Sequence, residues 1–129
     1  MDSKVDPALR YAKTHEWVRM EGAEAVIGIS DYAQNKLSDI VFVDLPAVGK
    51  ELKAAAACMV IESVKAAEEV FAPVSGTVVE RNESLVKKPE VVNSDPFGAG
   101  WLVRVKLSAP GEVSGLMDAA AYTAYLGTL

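Results

Sequence analysis

Side chains that enzymes commonly use for covalent or metal chemistry are scarce in this chain of 129 residues. It has one histidine, His15, and one cysteine, Cys58. Zinc sites need three or four ligands, and a catalytic Ser-His-Asp or Cys-His set would have to use His15. Gly98 and Gly100 do not form a phosphate loop, because further glycines and a following helical pattern are missing. We therefore expect no metal site, no catalytic residues and a structural, hydrogen-bonded His15.

The charge and hydropathy of the chain limit which partners and which cellular compartments are compatible with it. Eighteen acidic against thirteen basic residues give a net charge of −5, which disfavours binding to nucleic acid. The longest apolar run, residues 54–61, is too short to span a membrane, and the first residues lack a secretory signal pattern. Without an Arg-rich leader, a bacterial cytoplasm is favoured over the mitochondrial matrix. Cys58 lies among apolar residues and cannot form an internal disulfide.

Turn and strand signals predict most of the elements. Residues 11–29 predict a β-hairpin around Gly22, and Ser30 can cap a short helix that ends near residue 38. The β-branched and aromatic residues 40–43 favour a buried strand, and the alternating residues 101–108 favour a half-exposed one. Beyond Pro110, apolar residues at helical spacing predict a C-terminal helix. Its apolar face would comprise Val113, Leu116, Met117, Ala120 and Ala124.

Two segments of the second half need special backbone arguments. Residues 73–76 (PVSG) place Gly76 where a turn with positive φ is expected. Residues 54–70 are rich in alanine and glutamate, so intrinsic propensity predicts a helix there. The many short strands still favour a mainly β (α+β) fold with a closed or sandwiched sheet, in one domain of residues 1–129.

The motif Glu62-Ser63-Val64-Lys65-Ala66 resembles the lipoylation motif of glycine cleavage system H proteins. The resemblance extends in order over roughly residues 9–126. The other matching segments are Tyr11 with 14–18 (THEWV), 27–34 (IGISDYAQ), 39–46 (DIVFVDLP), 48–49, 72–76 (APVSG), 92–93, 95–98 (DPFG) and 100–101. The resemblance implies a flattened β-barrel or barrel-sandwich hybrid with flanking short helices and a C-terminal helix. It also implies a hairpin with Lys65 at its tip, which overrides the helix predicted over 54–70.

The same resemblance implies a carrier protein and not an enzyme. Lipoate would be attached to Lys65 by a lipoate-attaching enzyme, which would recognise Glu62, Ser63, Val64 and Ala66. The loaded arm would carry an aminomethyl group from glycine decarboxylase (P protein) to aminomethyltransferase (T protein), and dihydrolipoyl dehydrogenase (L protein) would reoxidise it. Glu16 would face the aminomethyl-loaded arm in a surface cleft. The alanines at 54–57 depart from the family pattern, which often has a glycine or a charged residue there.

Three other functions remain open from the sequence. A biotin carrier usually has methionines on both sides of its lysine, whereas Lys65 lies between Val64 and Ala66, which favours lipoate. A lipoyl-relay protein of lipoate metabolism would use the same lysine. An unmodified binding module would leave Lys65 free in a cell that makes lipoate.

Overall fold

The computed structural model describes residues 3–129 and shows a mainly β protein with two sheets and short helices. Its strands are β1 (Arg10–Tyr11), β2 (Glu16–Glu21), β3 (Glu24–Ile29), β4 (Ile40–Asp44), β5 (Glu51–Leu52), β6 (Ala57–Ser63), β7 (Ala67–Phe71), β8 (Gly76–Arg81) and β9 (Val103–Leu107). Its helices are α1 (Asp31–Leu37), α2 (Ser84–Lys87), α3 (Val91–Ser94) and α4 (Ala119–Leu126), with a 3-10 helix at Pro110–Gly115. The predicted fold class is confirmed.

The strands form two antiparallel sheets. The larger sheet has the order β1-β2-β3-β9-β8-β5, and the smaller one has the order β4-β6-β7. Apolar side chains from both sheets, among them Ile27, Val105, Val43 and Ile61, are buried in one continuous core. Burial of this apolar surface is the main force that holds the sheets together. The smaller sheet is thereby held in place, and with it the β6–β7 hairpin that carries Lys65.

Local signals correctly predict the first hairpin, α1 and the last strand. Gly22 turns the β2–β3 hairpin at φ +65°, which glycine adopts without steric strain. The side-chain oxygen of Ser30 accepts a hydrogen bond from the N–H of Ala33 and so caps α1. In β9, Val103 and Val105 are buried with a more polar residue between them.

The helix predicted from intrinsic propensity over residues 54–70 is wrong. The segment forms β6, a tight turn and the beginning of β7, as the family resemblance implies. Cys58, Met59, Ile61 and Val70 enter the core from these strands. Tertiary burial therefore overrides the helix propensity of the alanines.

Strand β4 is present, but its central residues are not buried as predicted. The pairing of β4 with β6 shifts between Ile40 and Phe42, so Val41 is the extra residue of a β-bulge. Ile40 and Val43 point into the core, whereas Val41 and Phe42 are exposed.

The positive φ expected at Gly76 is also wrong. Within residues 3–129, the glycines with positive φ are Gly22 and Gly49. Gly76 opens β8 opposite Leu107, where a Cβ atom would overlap the carbonyl oxygen of Lys106. Close approach of two strands, and not a turn, is what requires glycine here.

The C-terminal helix is shorter than predicted, and it presents another face. The 3-10 helix Pro110–Gly115 precedes it, and α4 itself begins at Ala119. Ala120 and Ala124, both expected on the apolar face, are exposed. Tyr122 is the buried anchor, and its ring stacks on Tyr11 with 4.2 Å between ring centroids.

Candidate functional site

The turn between β6 and β7, called here the lysine turn (residues 63–66), presents Lys65 to solvent. The N–H of Ser63 donates to the carbonyl of Ala66 at 2.8 Å, and Ser63 Oγ accepts from the N–H groups of Lys65 and Ala66 at 3.2 Å each. One hydroxyl thus satisfies the backbone of the turn without burying any of its side chains. An enzyme can therefore close around the Lys65 amine.

Long-range hydrogen bonds hold the lysine turn against the start of β4. The N–H of Val64 donates to the carbonyl of Asp39 at 3.0 Å. The next residue, Ile40, donates its N–H to Asn93 Oδ1 at 2.9 Å, and Asn93 Nδ2 donates to the carbonyl of Ser38 at 2.8 Å. Asn93 belongs to a segment that resembles the family, but sequence reasoning gave it no role. Its partners lie more than fifty residues away along the chain.

A cleft of about 330 Å³, called here the Glu16 cleft, lies beside β7. The loop before β2, the end of β3, helix α1 and β7 supply its walls. The lining residues are Thr14, His15, Glu16, Ile29, Tyr32, Ala33, Lys36, Leu37, Glu68, Glu69 and Val70. Glu68 is three residues from Lys65, so their Cα atoms are at most roughly 11 Å apart. The cleft is therefore within reach of a long arm attached to Lys65.

The carboxyl group of Glu16 is the buried polar centre of this cleft. Only 2% of the residue is exposed. Glu16 accepts hydrogen bonds from the hydroxyl of Thr14 and, at 3.1 Å, from the N–H of Phe71 on β7. Burial raises the pKa of Glu16 to about 7, although these hydrogen bonds lower it. A cation that entered the cleft would stabilise the ionised carboxylate.

His15 lines the cleft, and its ring packs against the rings of Tyr32, Tyr122 and Tyr125. Its Nδ1 lies 2.8 Å from the hydroxyl of Tyr122, which in turn lies 2.7 Å from Ser30 Oγ. Burial, together with the nearby charge of Lys36, lowers the pKa of His15. The imidazole is thus favoured in its neutral form and does not oppose a cation in the cleft. The hydrogen-bonded histidine expected from the sequence is confirmed.

Acidic residues outnumber basic ones along the cleft wall. Glu68 and Glu69 are exposed on β7, and Glu16 lies deeper. Lys36 supplies the opposing positive charge, and its Nζ lies 5.9 Å from the centre of the Tyr32 ring. The balance favours a small cationic group over an anion.

A sequence model of one protein family covers nearly the whole chain. The model, described as Glycine cleavage H-protein, matches residues 9–128. The chain belongs to the glycine cleavage H-protein family. The glycine cleavage system H protein of Aeromonas salmonicida is 54% identical over 121 residues, which are 93% of this chain and 94% of the relative. That of Symbiobacterium thermophilum is 47% identical over 123 residues, 95% and 96% of the two chains.

A solved structure supports the same assignment. The crystal structure of a glycine cleavage system H protein from Mycobacterium marinum matches with a TM-score of 0.87 and 36% identity, covering 95% of this chain and 99% of the other. The barrel-sandwich fold implied by the resemblance is thereby confirmed. As a family member, the chain is a lipoyl carrier of the glycine cleavage system, a component of a multienzyme system and not itself an enzyme.

Two kinds of feature are absent from the described residues, 3–129. No helix there is long and apolar enough to cross a membrane. No group of three or more histidine, cysteine or acidic side chains is placed to hold a metal ion.

The structure places the predicted site residues in two groups. Glu62, Ser63, Val64 and Ala66 adjoin Lys65 in and beside the lysine turn. Glu16 lies apart from them, in the cleft along β7. Sequence reasoning missed the charged residues that share this cleft with Glu16, namely Lys36, Glu68 and Glu69. The acidic pair so soon after Lys65 was the one available signal.

Proposed function

We propose that Lys65 is the lipoylated residue and that the attached arm uses the Glu16 cleft during glycine cleavage. This proposal rests on the direct connection between the lysine turn and the wall of the Glu16 cleft. The exposed lysine turn leads directly into β7, and β7 lines the cleft whose buried carboxyl favours a cation. The amine of an aminomethyl group is such a cation when it is protonated.

Attachment would be an acyl transfer. The deprotonated Lys65 amine attacks the carbonyl carbon of an activated lipoyl group, an amide bond forms, the leaving group departs with the bonding electron pair, and the nitrogen releases one proton. The positive charge of Lys65 is lost in the product. Glu62, Ser63, Val64 and Ala66 surround the amine and would be recognised by the lipoate-attaching enzyme.

Three enzymes would then act on the bound group, whose dithiolane supplies the redox and carrier chemistry. Glycine decarboxylase, the P protein, loads the aminomethyl group, and aminomethyltransferase, the T protein, removes its carbon and releases ammonia. Dihydrolipoyl dehydrogenase, the L protein, reoxidises the dithiol. Within the chain, Glu16 would hold the amine of the loaded arm, and the neutral His15 would leave that ion pair unopposed.

The same proposal includes the organisation and compartment of the chain. The core shared by both sheets and the family match over residues 9–128 support one domain over residues 1–129. The bacterial relatives support a bacterial cytoplasm as the compartment.

The intact mass of protein from lipoate-replete cells tests the assignment of Lys65. We expect the wild type to gain the mass of one lipoyl group and Lys65→Arg to gain none. Lys88→Arg, which changes another exposed lysine, should be modified like the wild type. An unmodified wild type, from cells whose attaching enzyme modifies another substrate, would return the chain to an unmodified binding module.

A further inference from the structure

Three exposed apolar side chains, Val41, Phe42 and Val64, lie beside the lysine turn. Their exposed fractions are 53%, 46% and 64%. Val41 and Phe42 belong to β4, whereas Val64 lies within the turn itself. We call these three residues the outer patch. Because exposed apolar residues cost solubility, a group of them next to a modification site indicates an interaction surface.

Two structural features create the outer patch. The bulge at Val41 turns consecutive residues of β4 toward solvent, and Phe42 pairs directly across from Glu62 on β6. The hydrogen bond from the N–H of Val64 to the carbonyl of Asp39 holds the turn beside the start of β4. The patch is thus joined to the lysine turn by the backbone and does not depend on a flexible loop.

Acidic residues edge the outer patch. Asp39, Asp44 and Glu62 are all exposed around it, and Glu69 follows on β7 in the same cross-strand row as Asp44. A partner that covers this surface would gain from an apolar centre and basic side chains at the edge. Such charges increase association rates more than they increase final affinity.

The distance between the protein backbone and the group that each enzyme acts on indicates which partner uses this surface. The lipoate-attaching enzyme acts on unmodified Lys65, whose amine is only one lysine side chain away from the backbone. Its protein surface must therefore press against the residues around the turn. The three glycine cleavage enzymes act at the end of a much longer arm. We infer that the outer patch is the docking surface for the lipoate-attaching enzyme. This inference rests on the proposed lipoylation of Lys65.

The double variant Val41→Thr/Phe42→Thr tests the apolar contact, since threonine keeps strand propensity and adds a hydroxyl. With purified apo protein and attaching enzyme, we expect kcat/KM for lipoylation to fall about tenfold, mainly through KM. The matched control is Val79→Thr, which alters an exposed valine on the larger sheet and should change kcat/KM less than twofold. After complete lipoylation, reoxidation of the dithiol by dihydrolipoyl dehydrogenase should also differ less than twofold from wild type.

The double variant Asp39→Asn/Asp44→Asn tests the acidic edge and leaves the apolar residues intact. We expect kcat/KM to fall severalfold at low salt and the difference to disappear at high salt, because salt screens exposed charges. Glu51→Gln, an exposed change on the larger sheet, should have no such effect. This second variant keeps the test decisive if the apolar variant does not fold.

The outcomes separate the two proposals. If the wild type is lipoylated on Lys65 and both double variants retain its kcat/KM, the docking inference fails and the proposed function stands. If the wild type is not lipoylated, the proposed function itself fails. Sedimentation of a wild-type dimer that Val41→Thr/Phe42→Thr disperses, with lipoylation unchanged, would assign the patch to a second copy and overturn the inference.

Discussion

At its N-terminal end β7 leaves the lysine turn in solvent, whereas at its C-terminal end it meets a buried carboxyl group and a strained turn. The exposed end is stabilised by Ser63, whose hydroxyl accepts two backbone hydrogen bonds. At the other end the N–H of Phe71 donates to Glu16. There the carbonyl of Ala72 accepts from the N–H of Ala55, which has φ +69°.

The two ends of β7 therefore differ in how accessible their side chains are to another protein. The lysine turn needs no strained backbone and no burial, so Lys65 stays available to an enzyme. The far end holds a carboxyl group that burial makes costly to ionise. Non-glycine residues with positive φ lie near the buried end, at His15 and Ala55, and before β4, at Ser38, but not within the lysine turn itself.

The largest effect is expected from the pH titration of Glu16, at the buried end of β7. The pKa of Glu16 is raised from 4.5 to about 7 in the folded chain. The folded state therefore binds more protons, so this contribution to stability is fully present below about pH 4.5 and is lost as pH rises through about 7. We expect the free energy of unfolding of wild type, minus that of Glu16→Gln, to fall by about 2 kcal/mol between about pH 5 and 7.5 in urea titrations.

Subtracting the variant removes other titrating groups from that experiment. The lowered pKa of His15 has the opposite sign, because the unfolded state then binds more protons, so its contribution grows as pH rises. His15 is present in both proteins and cancels. A difference that stays constant across this pH range would contradict the buried, raised-pKa carboxyl.

A smaller effect is expected at the exposed end. Ser63→Ala removes the acceptor for the N–H groups of Lys65 and Ala66. Water replaces it, so unfolding should become easier by only about 1 kcal/mol. Ser63→Thr keeps a hydroxyl and should lose less than half of that. Urea unfolding of the three proteins measures the effect, and equal losses for alanine and threonine would show that the hydroxyl does not hold the turn.

The smallest effect is expected from relieving the strained turn. Ala55→Gly removes a Cβ from a residue with positive φ, a conformation that costs about 1 kcal/mol for alanine, but the unfolded chain also gains freedom. A net stabilisation of roughly 0.5 kcal/mol in thermal and urea unfolding is expected. Ala56→Gly, at a neighbour without positive φ, should destabilise instead. Two changes of the same sign would contradict the assignment of strain to Ala55.

The sequence predicted elements whose signals lie within a few residues of each other. The hairpin turn at Gly22 and the helix cap at Ser30 are formed by residues within three positions of each other. Contacts between distant segments escaped prediction. The side chain of Asn93 donates a hydrogen bond to the carbonyl of Ser38. Tyr122, and not the expected alanines, is the buried residue of α4, because its ring stacks on Tyr11.

The amino-acid sequence alone was sufficient for the family, for the motif around Lys65 and for the local turns and caps, since these depend on residue types at short spacing. The tertiary structure decided how residues 57–63 pair with residues 67–71, that Val41 and Phe42 face solvent, and that the carboxyl of Glu16 is buried beside β7. Strand pairing, exposure and desolvation arise only when distant parts of the chain come together, so no local pattern encodes them.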